Sequence, residues 1–316
     1  MKFAQTAGRR RTTLALRYLV AILVLVVFLF PVYWLFAISF KTPDEIFSSP
    51  PVWVPSQLRW DNYRVLFTEG DAWTIWNSLV IAGTSSVLAM GLGTFCAYSL
   101  ARFNTGGKNL AMWILSQRMI PPIVIVFPVF LAFVFFQIVD TFGGLILLYT
   151  AFNLPYVIWM MRGFIVDIPI ELEESAMVDG CTRWQTFWRV VFPMARSGLM
   201  ATAVFTFVFA WNDFIFALIL TRTEVITFPV QLTHYMGGQS QFWSKISAMS
   251  VLGSLPVFIA VTLLMGLNAL LLGWGLRAPS LPLRARRSPR RGCRRSLGSR
   301  ARGRTAPRRR RGRAAG

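Results

Sequence analysis

The sequence predicts an all-α integral membrane protein of six transmembrane helices. Three observations carry that expectation. The chain of 316 residues is 55% apolar and only 15% charged. Its apolar residues fall in long blocks rather than on alternating faces, and several blocks reach the 19 or so residues that cross about 30 Å of hydrocarbon at about 1.5 Å per residue. Basic residues gather at one consistent set of block ends, as expected of cytoplasmic ends.

The elements follow in order. Arg9, Arg10, Arg11 and Arg17 precede the first apolar run, so residues 1–17 read as a cytoplasmic N-terminus. The run over about 18–40 is too long for a signal-peptide core and lacks a small-residue cleavage site, which makes it an uncleaved first span. Residues 41–76 are polar and rich in Pro and Trp, an ordered outside segment on the membrane surface, with Trp53, Trp60, Trp73 and Trp76 placed to anchor at headgroup depth. Span two covers about 79–100 and span three about 111–138, the latter interrupted by Pro121, Pro122 and Pro128. Span four covers about 143–161. A long amphiphilic loop, 162–196, carries Arg183, Arg189 and Arg196. Spans five and six cover about 198–220 and 248–272, so the six-span membrane body is 18–272 with both termini and the 162–196 loop on the cytoplasmic side.

The formal net charge of +20 invites a nucleic-acid reading, but its location argues otherwise. Residues 277–316 hold sixteen Arg, no Lys and no acid, leaving about +4 on the first 276 residues. From about residue 273 the composition turns to Arg, Pro, Ser and Gly, which cannot bury a core and predicts a disordered tail over 273–316. Arg without Lys is also what GC-rich DNA read in a shifted frame produces; the gene sequence decides between a genuine tail and a frameshift product. Three scattered cysteines (Cys96, Cys181, Cys293) and a single histidine, His234, offer neither metal spacing nor a Ser-His-Asp triad. No metal site and no catalytic residue is expected, and no specific nucleic-acid partner.

The 162–196 loop is the most informative stretch. Pro169 suits a helix start, where its missing N–H would be unpaired anyway. Glu171, Glu173 and Glu174 sit in the opening turns, favoured by the helix dipole. Leu172, Ser175 and Ala176 share one side at helical spacing, a narrow face that another protein's groove could accept. Gly180 allows a turn that other residues resist, and a second short helix, about 182–191, is expected to end at Pro193. Two short helices joined at a glycine make a rigid projection. On physics alone the same pattern also suits a surface helix resting on lipid headgroups.

Glu174-Ser175-Ala176, three residues, Gly180, nine residues, then Val190-x-Phe192-Pro193 resembles the E-A-A-x3-G-x9-I-x-L-P motif of ABC importer permeases. The spacing fits throughout, with Ser175 in place of an alanine and apolar exchanges at Val190 and Phe192. Lys41-Thr42-Pro43-Asp44-Glu45 with Pro50-Pro51, Asp61-Asn62-Tyr63 and Asn77-Ser78-Leu79 is similar to the outside segment of maltose-type sugar permeases. So are Ala97 to Phe103, Met119-Ile120-Pro121-Pro122, Asn153-Leu154-Pro155 and Trp211-Asn212-Asp213-Phe214. The likeness spans about residues 12–272 and is to the smaller, MalG-like subunit. It implies a type I importer permease (MetI-like) fold in a bacterial inner membrane. It also implies a second, MalF-like permease subunit, a cytoplasmic MalK-like ATPase dimer holding ATP and Mg, and an extracytoplasmic sugar-binding protein as partners. Carried over, Glu171, Glu174, Ser175, Ala176, Gly180 and Pro193 belong to the ATPase-docking loop. The chain has no G-x-x-x-x-G-K-[ST] loop of its own, so hydrolysis is assigned to the partner and the chain itself is not an enzyme.

Polar residues inside the spans are costly and mark either the pathway or the packing. Arg118 falls about eight residues into span three, where a charge costs a few kcal/mol on insertion scales. It is placed to bond carbonyls freed by Pro121 and Pro122, pinning a kink, or to line the pathway. Asn153, Asn212 and Asp213 are further pathway candidates, with interhelical bonding as the alternative. Competing functions are an ABC permease for polyamine, phosphate or another solute, and a stand-alone secondary transporter. Against the latter, the spans show neither a charged ion-coupling pair nor an inverted repeat.

Overall fold

A computed structural model describes residues 2–103, 105–236 and 242–277. Its helices, in chain order, are α1 (Lys2–Ser39), α2 (Pro43–Ile46), α3 (Asp61–Thr68), α4 (Trp73–Arg102), α5 (Gly107–Ser116), α6 (Pro122–Phe135) and α7 (Phe142–Val166). They continue as α8 (Ile170–Val178), α9 (Arg183–Thr186), α10 (Phe192–Met194), α11 (Arg196–Trp211), α12 (Ile215–Leu220), α13 (Phe228–His234) and α14 (Phe242–Arg277). A 3-10 turn, Gln117–Met119, joins α5 towards α6, and a π-helical turn, Phe187–Val191, joins α9 to α10. Among the described residues there is no strand.

Among the described residues, four helices are long and apolar enough to cross a membrane: Leu16–Ser39, Trp73–Arg102, Phe142–Val166 and Trp243–Leu270. The number rises to six if each of two bent helix pairs counts as one span. The helices overrun the expected spans, α4 beginning at Trp73 and α14 continuing through Arg277 rather than ending near 272. The remainder of the Arg-rich tail lies outside the described residues.

The interruption expected in span three falls at Pro121-Pro122 and not at Pro128, and the continuity expected of span five is corrected. Span three is a broken element whose halves, Asn109–Met119 and Pro122–Phe135, meet at 91°. The physical reason is the Pro121-Pro122 pair. Neither ring nitrogen can donate, and each proline drives the residue before it into extended backbone. Ile120 and Pro121 have ψ of 122° and 132° accordingly. Pro128, by contrast, stays inside α6. Span five is likewise interrupted, with residues 212–214 separating α11 from α12.

The described residues divide into two compact units, those within 2–167 and 195–270, and those within 168–194 and 271–277. In the first, α4 and α7 form the most extensive pair, α11 packs on both, and α12 packs on α6. Close approach of α4 and α7 requires glycine at position 93, where an added Cβ would stand 2.6 Å from Val157 Cγ1. Small residues of this kind let helices meet in lipid, where packing rather than hydrophobic expulsion holds them together. The core gathers Ile81, Leu145, Leu148, Trp211, Phe216, Leu220 and Met249.

The segment 41–76 is ordered, as its composition suggests. Thr42 and Glu45 form a capping box on α2, with Pro43 in the first turn. Lys41 is buried, donating to the Val52 carbonyl with its ammonium 4.2 Å from the Trp34 ring centroid. Asn62 Nδ2 donates 2.7 Å to the Ser39 carbonyl and ties α3 back to the end of α1. Trp53, Trp60, Trp73 and Trp76 are all more than half exposed.

Candidate functional site

Two places draw together the residues singled out in the sequence. The first is the second unit's helix–turn–helix. Pro169 precedes α8 and caps it, and Glu171 and Glu173 occupy its first turn, where their charge meets the positive end of the helix dipole. Leu172, Glu174 and Ser175 are exposed and Ala176 is half-buried, so the expected docking face is accessible; Glu173 is buried.

The helix ends in a Schellman motif. Gly180 N–H donates 3.0 Å to the Met177 carbonyl and Cys181 N–H donates 3.1 Å to the Ala176 carbonyl. This arrangement needs a left-handed residue, and Gly180 supplies it at φ +91°. Thr182 then caps the second helix in a box with Gln185. That helix ends at Met194, one residue past the expected stop at Pro193. Phe192 N–H reaches back to the Phe187 carbonyl in a π turn, and Pro193 sits beyond it within α10. The wider turn accommodates a proline that lacks the N–H for regular α bonding.

The second place is a cavity of ≈ 250 Å³ in the first unit, lined by Arg118, Ile120, Pro122, Tyr149, Phe152, Asn153, Phe209, Ala210, Asp213 and Phe216. Four of the six pathway candidates therefore meet at one site. Arg118 stands at the corner between α5 and α6. Its Nη1 donates 2.9 Å to the Phe152 carbonyl on α7, not to carbonyls beside Pro121 and Pro122 as expected. The acceptor lies in the turn that Pro155 perturbs. The same guanidinium stands 5.1 Å from the Phe209 ring centroid, a cation–π contact that offsets part of the cost of a buried charge. Asn153 is 3% exposed, and both its Oδ1 and the Asp213 Oδ1 are buried without a hydrogen-bond partner in the protein.

The remaining two candidates lie apart. Pro121 caps α6 without lining the cavity, and Asn212 is exposed, its Nδ2 donating 2.8 Å to the Val208 carbonyl of its own helix. Sequence reasoning missed the aromatic walls. Tyr149 precedes Asn153, and Phe209 precedes Asp213, by four residues, and that one-turn spacing was the available signal.

Long, partly broken apolar helices, an exposed acidic helix and a mainly apolar cavity holding Arg118, Asn153 and Asp213 fit a component of a membrane transport system. Comparison with known proteins agrees. Residues 89–275 match the family described as binding-protein-dependent transport system inner membrane component, and the chain belongs to that family. It is 33% identical over 242 residues to the diacetylchitobiose uptake system permease protein DasC of Streptomyces coelicolor, covering 76% of this chain and 88% of the relative. It is 37% identical over 240 residues to the trehalose transport system permease protein SugB of Mycobacterium tuberculosis, covering 74% and 86%. The crystal structure of a bacterial ABC transporter involved in import of the acidic polysaccharide alginate aligns with a TM-score of 0.66 at 20% identity, over 81% of this chain and 96% of the other. That last likeness establishes the fold.

Proposed function

We propose that this chain is one transmembrane subunit of an ATP-driven sugar importer in a bacterial inner membrane, with both termini and the 162–196 loop cytoplasmic. A second permease subunit would complete the channel. An ATPase dimer would bind ATP and magnesium on the cytoplasmic side, and an extracytoplasmic binding protein would deliver sugar. The sugar assignment rests on relatives named for trehalose and diacetylchitobiose uptake.

The observation that carries the mechanism is the Schellman-ended α8, presenting Glu174 and Ser175 in the open. A helix clamped at both ends by Pro169 and Gly180 transmits displacement rather than bending. Docked in an ATPase cleft through Glu171, Glu174, Ser175 and Ala176, it would carry closure of the ATPase dimer to the spans, which rock between inward and outward openings.

The test is energised uptake of labelled trehalose and N,N′-diacetylchitobiose by cells that express or lack this chain. Uptake that needs the chain and stops on ATP depletion with the proton gradient intact supports the proposal. Uptake that follows the proton gradient and ignores ATP makes the chain a secondary transporter instead.

A further inference from the structure

Resting on the sugar-import reading, we infer that the cavity at the α5–α6 corner is a binding site for a single neutral sugar ring, and that this subunit contributes its own contacts to substrate selection. The argument starts from unmet hydrogen bonds. Asn153 Oδ1 is a buried acceptor with no donor in the protein, and so is one carboxylate oxygen of Asp213, Oδ1, although that carboxylate also faces the Tyr149 hydroxyl and the Phe216 and Ala217 N–H groups; both residues line the same space. Leaving such atoms bare forfeits their hydration with nothing in return, so the cavity favours an occupant that brings donors.

The occupant's charge follows from the other polar group. An ammonium ligand would suit the two acceptors but meet the Arg118 guanidinium. An anion would suit Arg118 but face two acceptor oxygens. A hydroxyl both donates and accepts, so a neutral polyhydroxy compound satisfies all three groups at once.

Shape agrees with chemistry. Phe152, Phe209, Phe216 and Tyr149 supply apolar walls for the C–H faces of a ring. The ≈ 250 Å³ volume leaves room for a sugar ring.

The experiment is ATP-driven uptake by the complete transporter of trehalose, N,N′-diacetylchitobiose and alginate oligosaccharides, followed by monodeoxy analogues of whichever sugar is taken up. Wild type and Asn153→Leu are compared, with membrane levels followed by immunoblot. The site predicts uptake of a neutral sugar, at least tenfold discrimination against one deoxy analogue in the wild type, and loss of that discrimination in Asn153→Leu. A fold defect would lower sugar and analogue together. Phe209→Leu, at a partly exposed wall position, serves if Asn153→Leu fails to accumulate, and should raise KM at least threefold. Equal discrimination in wild type and variant, unchanged KM in Phe209→Leu, or selective uptake of the anionic oligosaccharide overturns the site while leaving sugar import standing. No ATP-driven uptake of any of these sugars by the wild type overturns the import reading and this inference with it.

Discussion

Arg118 Nη1 donates a 2.9 Å hydrogen bond to the carbonyl of Phe152, 34 residues further along the chain. This single contact joins the corner of a broken span to the turn of α7 that Pro155 perturbs, and it borders the cavity. A charge-assisted bond of this kind contributes about 1.5–3 kcal/mol. Arg118→Leu is therefore expected to lower the thermal midpoint of the detergent-solubilised protein and to reduce uptake. Arg118→Lys, which keeps a donor but not the planar fork, should restore part of each. Equal loss in both variants would show that the bond to Phe152 is not what holds the corner.

Gly180 offers a cleaner separation of shape from space. An added Cβ would meet nothing within 4 Å, yet φ is +91°, so substitution acts through backbone strain alone. A β-branched residue at positive φ costs more than asparagine, which tolerates the left-handed region. Gly180→Val should uncouple sugar uptake from ATP hydrolysis, while Gly180→Asn retains most coupling and both reach the membrane. The ratio of sugar imported to ATP hydrolysed in proteoliposomes measures this.

Asp140 acts outside the spans. Its carboxylate accepts from the backbone N–H groups of Arg222, Thr223, Glu224 and Val225 at 2.9–3.1 Å. Burial alone would raise this carboxyl, but the four donors outweigh it and hold its pKa at about 2, below the ordinary 3.8. A depressed folded pKa means the stabilisation is complete above the unfolded value and fades as pH falls through the folded one. The thermal midpoint should carry an acid-dependent drop between about pH 4 and 2 that Asp140→Asn lacks, and the variant should already be less stable at pH 7.

Helix contact in the bilayer is tested at position 93. With Val157 Cγ1 only 2.6 Å from where a side chain's Cβ would stand, Gly93→Leu must push α4 off α7, at a cost of about 1–3 kcal/mol or more for overpacking. Membrane levels should fall sharply, whereas Gly91→Leu, where an added Cβ meets nothing within 4 Å, should accumulate normally.

Much of this architecture was legible because lipid imposes strong length and charge constraints. The apolar blocks located the long helices, and Pro169, the glutamates and Gly180 marked α8 and its end, since capping and left-handed turns are local chemistry. What escaped was non-local. Pro121-Pro122 announced an interruption, but a 91° corner depends on what α5 and α6 pack against. Arg118, Asn153 and Asp213 each stood out as costly polar residues, yet their convergence comes from three different segments. The Asp140 clamp joins positions more than 80 residues apart through a left-handed aspartate, and the π turn before Pro193 leaves no periodic trace.

The central claim is that α8 docks on a separate ATPase subunit, and cysteine cross-linking tests it most directly. Cys96, Cys181 and Cys293 are first replaced by serine, so that a cysteine placed at Ser175 or Ala176 is the sole thiol of the chain. In cells importing sugar, a short bifunctional reagent should join each new cysteine to a cytoplasmic ATPase subunit, with the yield changing when ATP is trapped. Import that proceeds normally while neither position ever captures such a subunit would contradict the account.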